Sequence, residues 1–548
     1  MEICIPVLLD RLEDALPDRP ALVQLEADGP RVVSRRQFGA RTRAIGAALR
    51  ARGYGVHTER EALAPHESGQ DHLAVCLYNS DAYLEAMVGA MRARLAPANV
   101  NYRYTGDELV QVLTTARARV LVYDGRLADV VVPAAQRVDG LDLLIEVVAP
   151  GSTLTPGSLD YEQFVASEPG DRDTGEEPAP SADDLVLVLT GGTTGTPKAV
   201  LWRQADLAVA ALGARNFAQK GREFDTLDEL VHSSLSRPAA CLSAAPFMHG
   251  AGQWMALQAL GTGGTVVLQQ DPSRYDALDV LATARECDVQ ALLIVGDTMA
   301  RPLADAIASQ HVELPALRLV AAGGAPLSPQ GRAARSDALP NVRIRDTMGS
   351  SESGPQAFAT SGDGEPGVFE PGPGTCVVDE ARTRTLEPGA DEIGWLASAG
   401  RVPLGYLGDA ERTAATFPVI EGRRFSVSGD RARFRADGRI AVLGRASSVI
   451  NTGGEKVFAE EVEAVVREFP AVADVVVVAR PSERWGQEVV ALVAGSDAVD
   501  VAALLVHCRG RLAGYKVPKH VVTVPAIPRN PAGKVDMRWA TDTAVNAS

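Results

Sequence analysis

Lysine is scarce in this chain of 548 residues. Only six of its 54 basic residues are lysines (Lys198, Lys220, Lys456, Lys516, Lys519 and Lys534), and the remaining 48 are arginines. Where lysine persists, a compact and mobile point charge serves better than arginine's planar fork, so these six positions are candidates before any motif is read. Positive charge is itself in the minority, because 70 acidic residues leave a net charge of −16. Nonspecific attachment to a phosphate backbone needs a basic face, and the few basic clusters here are interrupted by acids, which excludes a nucleic-acid partner. No apolar run approaches the ~18 residues that a membrane span requires. The N-terminus has no basic n-region and soon reaches Asp10, Glu13 and Asp14, so no secretory signal is expected and the expected location is cytoplasmic. The six cysteines are far apart, with no C-x-x-C pair and no Cys/His cluster at zinc spacing. They read as reduced thiols without a catalytic role.

What is present is ordinary for a soluble globular protein: 46% hydrophobic and 23% charged residues, which excludes disorder as the main state. The length predicts two or more domains with an ample core. Residues 1–180 alternate helix-like stretches, such as "ARTRAIGAALRARG", with apolar runs such as "HLAVCLYN" and "ARVLVYDG" that read as buried strands. Such alternation predicts α/β layers. Residues 168–184 are acidic, rich in Pro and Gly and without periodicity, as expected of a solvated connector. The alternation then resumes, and residues 375–443 are rich in strand-like segments. After Gly444 and Arg445 the texture changes to helix 461–469, strands 475–479 and 488–494, helix 501–512 and strand 520–524. The expected architecture is therefore α/β: a large N-terminal domain over 1–444, with layered α/β subdomains and a β-rich portion, and a small mobile α+β domain over 445–548.

The strongest local signal is "LVLVLTGGTTGTPKAVLW". An apolar strand feeds Thr190, Gly191, Gly192, Thr193, Thr194, Gly195, Thr196, Pro197 and Lys198, and a second short strand follows. Glycines let backbone N–H groups approach a polyanion, threonines add hydroxyl donors and Lys198 adds charge. This is a phosphate-cradling loop, distinct from a Walker A loop, in which Gly-Lys-Ser/Thr runs into a helix.

The loop resembles the phosphate loop of the adenylate-forming superfamily, which includes acyl-CoA synthetases, luciferases and the adenylation domains of peptide synthetases. Further segments match in order through essentially the whole chain. "GGAPL" (323–327) resembles the adenine-side loop, "MGSSESG" (348–354) the aromatic-Gly-x-Thr-Glu segment, and "FSVSGD" (425–430) the Thr-Gly-Asp motif. "GRASSVINTGGEKVFAEEVE" (444–463) resembles the hinge and its following hairpin, and "PRNPAGKV" (528–535) the C-terminal lysine motif.

The resemblance implies an acyl-CoA ligase that uses ATP, magnesium and coenzyme A to activate a hydrophobic carboxylic acid through acyl-AMP. It implies that Gly323, Gly324, Ala325, Met348 and Gly349 flank the adenine, and that Asp430 and Arg445 reach the ribose. Glu352 would help hold magnesium, a task suited to a carboxylate, with Ser351 as a hydroxyl beside the phosphates and Lys534 as the adenylation lysine. His249, in "AAPFMHGAGQW", would wall or gate the acyl pocket, where Gly250, Ala251 and Gly252 leave room for a branched or polycyclic acid. Amino-acid-activating domains place an Asp near here, and its lack argues against an amino-acid substrate. Gly453, Gly454 and Lys456 would line the pantetheine tunnel, and Lys516 and Lys519 would approach the coenzyme's phosphates.

Two departures stand out. Met348 occupies the place of an adenine-stacking aromatic, and Ser448 that of a hinge Asp. They leave open a chain that mainly forms thioesters from an adenylate made elsewhere, and, from a different class, a non-catalytic nucleotide- or acyl-binding protein. The "GSSE" and "INTGGEKVF" segments are similar to actinobacterial synthetases acting on sterol side chains, terpenoid acids or long acyl chains. Oligomeric state is left open, a homodimer included.

Overall fold

The computed structural model describes the chain apart from residues 27, 171–178, 192–196, 217, 218, 220, 237, 324–338, 361–364, 366, 446, 447, 453, 454, 483, 484, 496–498, 530–533 and 548. Two large sheets carry the N-terminal domain. The first has eight strands, with His72–Cys76 and Ala96–Asn99 at its centre, running parallel to Ala118–Asp124 on one side and Leu185–Gly191 on the other. Its far side turns antiparallel through Pro197–Arg203 and Gly405–Tyr406. The second sheet starts at an antiparallel edge pair, Gly29–Ser34 with Pro20–Glu26, and passes into a parallel set containing Ala240–Ser243, Ala291–Ile294, Leu319–Gly323 and Arg343–Ser350. It continues without a break into the antiparallel strands of 354–445.

Strand periodicity explains the layering. Side chains alternate across a strand, so Leu73 and Val75 enter one apolar cluster while Ala74 and Cys76 enter another. The first cluster lies between the sheets and takes in Phe38, Ile45, Leu84, Met87 and Met91 from the helices Arg35–Ala51 and Asp81–Arg92. The second is closed by Leu109, Val112 and Leu113 of the helix Gly106–Ala116. A third cluster covers the outer face of the second sheet with Val280, Leu281, Leu303 and Ile307. Both faces of each parallel sheet are thus covered, as the unbroken apolar runs in its strands require.

The small domain is a five-stranded sheet. Val475, Val477 and Val489 face the helices Ala459–Arg467 and Val501–Arg509, while Val476, Val478 and Val490 face the helix Met537–Asn546. The expected order is present within a few residues, and the terminal helix is an addition that the sequence reading lacked. None of the six cysteines is in a disulfide, and burial pushes the Cys76 thiol up to about 12.

One expectation needs correction. Asp184 closes the stretch read as a solvated connector, yet its side chain is only 3% exposed. It accepts from Arg94 at 2.9 Å and from the Ser181 N–H at 2.8 Å. Arg94 is also buried, donates to Glu59 from Nη1 at 2.8 Å and from Nη2 at 2.7 Å, the latter nitrogen shared with Asp184, and sits at φ 58° after the helix Asp81–Arg92. This pair anchors the end of the connector to the first sheet. Removing one partner of a buried ion pair strands the other charge, at a cost of about 3–5 kcal/mol. Arg94→Ala should therefore lower the stability of the large domain by that amount in a urea titration, whereas Arg137→Ala, at the exposed ion pair with Asp107, should change it by less than about 1 kcal/mol.

Candidate active site

Thr190 pairs with Lys198, and Gly191 with Pro197, so the two ends of the segment expected to cradle phosphate lie side by side on antiparallel strands. Gly192, Thr193, Thr194 and Gly195 lie outside the described residues. Asn99, at the end of the neighbouring parallel strand, fixes the hairpin's base. Its carbonyl accepts from the Leu189 N–H at 2.9 Å while its amide donates to the Leu189 and Met248 carbonyls. One side chain thereby joins the hairpin to the segment that carries His249.

Lys198 stands at the start of the return strand, half-buried, with its ammonium 5.2 Å from the centroid of the Tyr406 ring. Desolvation lowers its pKa, Glu352 opposes that shift, and Arg412 and Arg445 add to it. Tyr406 also touches the other side of the cleft, because its hydroxyl donates to Glu352 Oε1 at 2.9 Å. Burial and the neighbouring Glu352 carboxylate keep the Tyr406 phenol well above its ordinary pKa, so it remains a donor. Tyr406 was not among the residues singled out from sequence. Its partners are distant in the chain, and "GY" alone carries no signal.

Glu352 sits in the turn between the strands Arg343–Ser350 and Gly354–Thr360. The turn is held by several groups: Ser350 Oγ accepts from the Glu352 N–H, Ser350 and Ser353 share a hydroxyl contact, and the Trp202 indole donates to the Ser351 carbonyl at 2.9 Å. Two glycines make the turn possible. Gly354 has φ +70°, and a Cβ on Gly349 would lie 2.3 Å from the Gly354 carbonyl. Met348 packs against the apolar cluster of Val377, Leu396 and Ile440, which anchors the thioether on the β-rich side of the sheet. Gly323 ends its parallel strand beside Thr347, and a Cβ there would lie 4.0 Å from that of Ala251. Gly324 and Ala325 lie outside the described residues.

Asp430 and Arg445 face each other across paired strands, with Arg445 Nε 3.4 Å from Asp430 Oδ1. His249 caps the helix Gly250–Gly261, and its Nε2 finds no hydrogen-bond partner among the described residues. Desolvation, assisted by Lys534 and Arg103, pushes its pKa down to about 4, so the imidazole is neutral at physiological pH. The expectation that small residues beside it open the pocket holds only in part. A Cβ on Gly252 would lie 2.6 Å from the Pro246 carbonyl, and one on Gly250 would meet the Trp254 ring at 3.2 Å. The space at Gly252 is taken by close backbone packing, which leaves Ala251 facing Gly323.

Lys534 comes from the far end of the chain. Solvent reaches the residue, yet the protein around its ammonium desolvates it enough to lower its pKa, with Arg445 adding to the shift and Glu352 opposing it. Lys534 therefore lies within electrostatic reach of Glu352, Arg445 and His249, all outside its own sheet. Gly453 and Gly454 lie outside the described residues. Lys456 is paired with Asn451 in the adjoining hairpin, and its side chain is likewise outside the described part. Lys516 is engaged with Glu461 at 2.7 Å.

Comparison with known proteins agrees with this geometry. The family model "AMP-binding enzyme" matches residues 9–407, and "AMP-binding enzyme C-terminal domain" matches 461–534. The chain is 45% identical to the medium-chain acyl-CoA ligase Mig of Mycobacterium avium, over 99% of this chain and 98% of that one. It is 34% identical to a 3-oxocholest-4-en-26-oate–CoA ligase of Rhodococcus rhodochrous, over 99% and 96%. In fold it is similar to the anthranilate CoA ligase AuaEII in complex with anthranoyl-AMP, with a TM-score of 0.81 at 20% identity, covering 100% of this chain and 98% of that one. With both of its parts matched in order, the chain belongs to the AMP-binding enzyme family.

Proposed function

We propose that this protein is an AMP-forming acyl-CoA ligase for a hydrophobic carboxylic acid, with the large domain at 1–444 and the small domain at 445–548. The observation that carries the reading is that Lys534 of the small domain and Lys198 of the hairpin share the same electrostatic neighbours, Glu352 and Arg445, while Lys534 also acts on His249. This supports a site formed where the small domain's lysine faces the large domain. The Mycobacterium avium relative is named for medium-chain acids and the Rhodococcus rhodochrous relative for a sterol side-chain acid, which supports an apolar acid. A medium-chain fatty acid is the first substrate to test.

In the first half-reaction a carboxylate oxygen of the acid attacks the α-phosphorus of ATP. The new O–P bond forms as the bond to the bridging oxygen breaks, and pyrophosphate leaves with that electron pair. Two anions must approach, so the residues that matter are cations held in place beforehand. Lys534 would stabilise charge at the α-phosphate and Lys198 the outgoing phosphates, with Ser351 and the loop N–H groups as donors. Asp430 and Arg445 would hold the ribose, and Gly323, Met348 and Gly349 the adenine. Glu352 fits magnesium: Tyr406 holds one carboxylate oxygen, leaving the other for an ion that is usually carried by one or two carboxylates together with substrate phosphates. When bound, magnesium would neutralise developing charge on the phosphates.

In the second half-reaction the coenzyme A thiolate attacks the acyl carbon. A C–S bond forms, the C–O bond to AMP breaks, and AMP leaves with its electrons. The small domain would turn about the hinge, withdrawing Lys534 and presenting the hairpin with Gly453, Gly454 and Lys456. His249, neutral and half-enclosed, would form the wall at the acyl end. The engaged position of Lys534 favours a working adenylation step over a chain confined to thioester formation.

Lys534→Ala should reduce acid-dependent pyrophosphate exchange by at least ~100-fold while leaving conversion of supplied acyl-AMP and coenzyme A within about threefold of the parent. Equal loss of both steps would contradict the assignment. The lowered pKa also fixes a sign. Adenylation needs the charged ammonium, so its pH profile should fall on the alkaline side below the ordinary lysine value, and Lys534→Arg should retain reduced activity without that limb. Tyr406→Phe keeps the ring beneath Lys198 but frees Glu352. Loss of such a supporting contact costs roughly 10–100-fold in metal affinity or activity. The measurements are the magnesium dependence of pyrophosphate exchange and calorimetric binding of ATP with magnesium, with the unfolding temperature unchanged.

A further inference from the structure

The junction between the domains carries a carboxylate that neither half-reaction uses. The strand Ile440–Arg445 ends the large domain and Val449–Thr452 begins the sheet of the small one. Glu460, in the first turn of the helix Ala459–Arg467, reaches back to the segment between them. Its Oε1 accepts from the Arg445 backbone N–H at 3.3 Å and from the Ser448 hydroxyl at 2.6 Å, and the same hydroxyl lies 2.9 Å from the Arg445 carbonyl. One oxygen thus bonds to residues on either side of the proposed hinge.

Two further features show that this contact is built into the fold. Gly444 has φ +117°, and a Cβ there would lie 2.0 Å from Glu460 Oε2, so the carboxylate occupies space that only glycine leaves open. Oε2 is buried and finds no hydrogen-bond partner among the described residues. A buried carboxylate oxygen without a partner is costly, and fixing the carboxylate in one position is a function that would offset the cost. Arg445 is consequently held from both domains. Its guanidinium faces Asp430 of the large domain at 3.4 Å while its backbone N–H is held by Glu460 of the small one.

We propose that Glu460 is a positioning residue that clamps the hinge in the adenylating arrangement, keeping Lys534 beside Glu352 until the first half-reaction is complete. The inference rests on the two-step reading above. It also accounts for Ser448. In this chain the acidic partner of the hinge stands at 460 and the residue at 448 must donate to it, so an Asp at 448 would set two carboxylates against each other.

The test uses the full-length protein with decanoic acid as probe. Adenylation is read as decanoate-dependent pyrophosphate exchange without coenzyme A, and thioester formation as conversion of synthetic decanoyl-AMP with coenzyme A. Glu460→Ala should lower adenylation about tenfold and leave thioester formation unchanged or faster, since the clamped state becomes less populated. Glu460→Gln keeps an accepting oxygen and should stay within about threefold of the parent in both steps. Ser448→Asp should lose adenylation as Glu460→Ala does. Equal loss of both steps in Glu460→Ala with Glu460→Gln normal, no change in either variant, or a gain of adenylation in Ser448→Asp would overturn the clamp while leaving the ligase reading intact. A parent protein that performs neither half-reaction would overturn the ligase reading and the clamp with it.

Discussion

Desolvation of two lysines beside fixed arginines is the constraint from which the cleft follows. Burial is the main cause that lowers the pKa of Lys198 and of Lys534, Arg445 adds to the shift at both and Arg412 at Lys198, and Glu352 is the carboxylate that opposes it at both. A bound polyanion would favour both ammonium forms, and because the lysines are already partly desolvated, little reorganisation would remain when charge moves during reaction. Lysine at 198 and 534 suits this role better than arginine, since a compact ammonium is readily tuned by burial.

The rest of the fold can be understood as support for that arrangement. The groups around the cleft are held from behind: Glu352 by Tyr406, the Ser351 carbonyl by Trp202, Lys198 by the Tyr406 ring, and the hairpin base by Asn99. Tyr406 serves both sides because its short strand pairs with the hairpin's return strand. Parallel strands end at this cleft from both sheets, as ligand sites in open α/β sheets do. The lysine that completes the set comes from beyond the last strand of the separate small sheet, so the cleft depends on how the hinge is held, which brings Gly444, Ser448 and Glu460 into the account.

The sequence made the fold class and the family legible, for identifiable reasons. Alternating apolar runs revealed the strands because both faces of each parallel sheet are buried, and the Gly/Thr loop stands out because a loop suited to phosphate contact needs those residue types close together. Residues acting through long-range contacts stayed hidden. Tyr406, Trp202 and Asn99 each join segments far apart in the chain, and no local pattern marks them. Asp184 was misread because an acidic, Pro/Gly-rich neighbourhood says nothing of the buried Arg94 waiting for it. The glycines beside His249 were read as pocket space, whereas the fold spends Gly252 on backbone packing. Glu460 was within view as part of a motif, yet its meaning depends on the approach that Gly444 permits.

The central claim is that one cleft makes acyl-AMP and then consumes it. A single-turnover experiment tests this most directly: protein in excess of a medium-chain acid, with ATP and magnesium, followed by mass spectrometry before and after coenzyme A is added. The account predicts that acyl-AMP accumulates on the protein with matching pyrophosphate, then converts to acyl-CoA and AMP when the thiol arrives. Absence of acyl-AMP and pyrophosphate from every free acid tested, while supplied acyl-AMP is still converted, would contradict it.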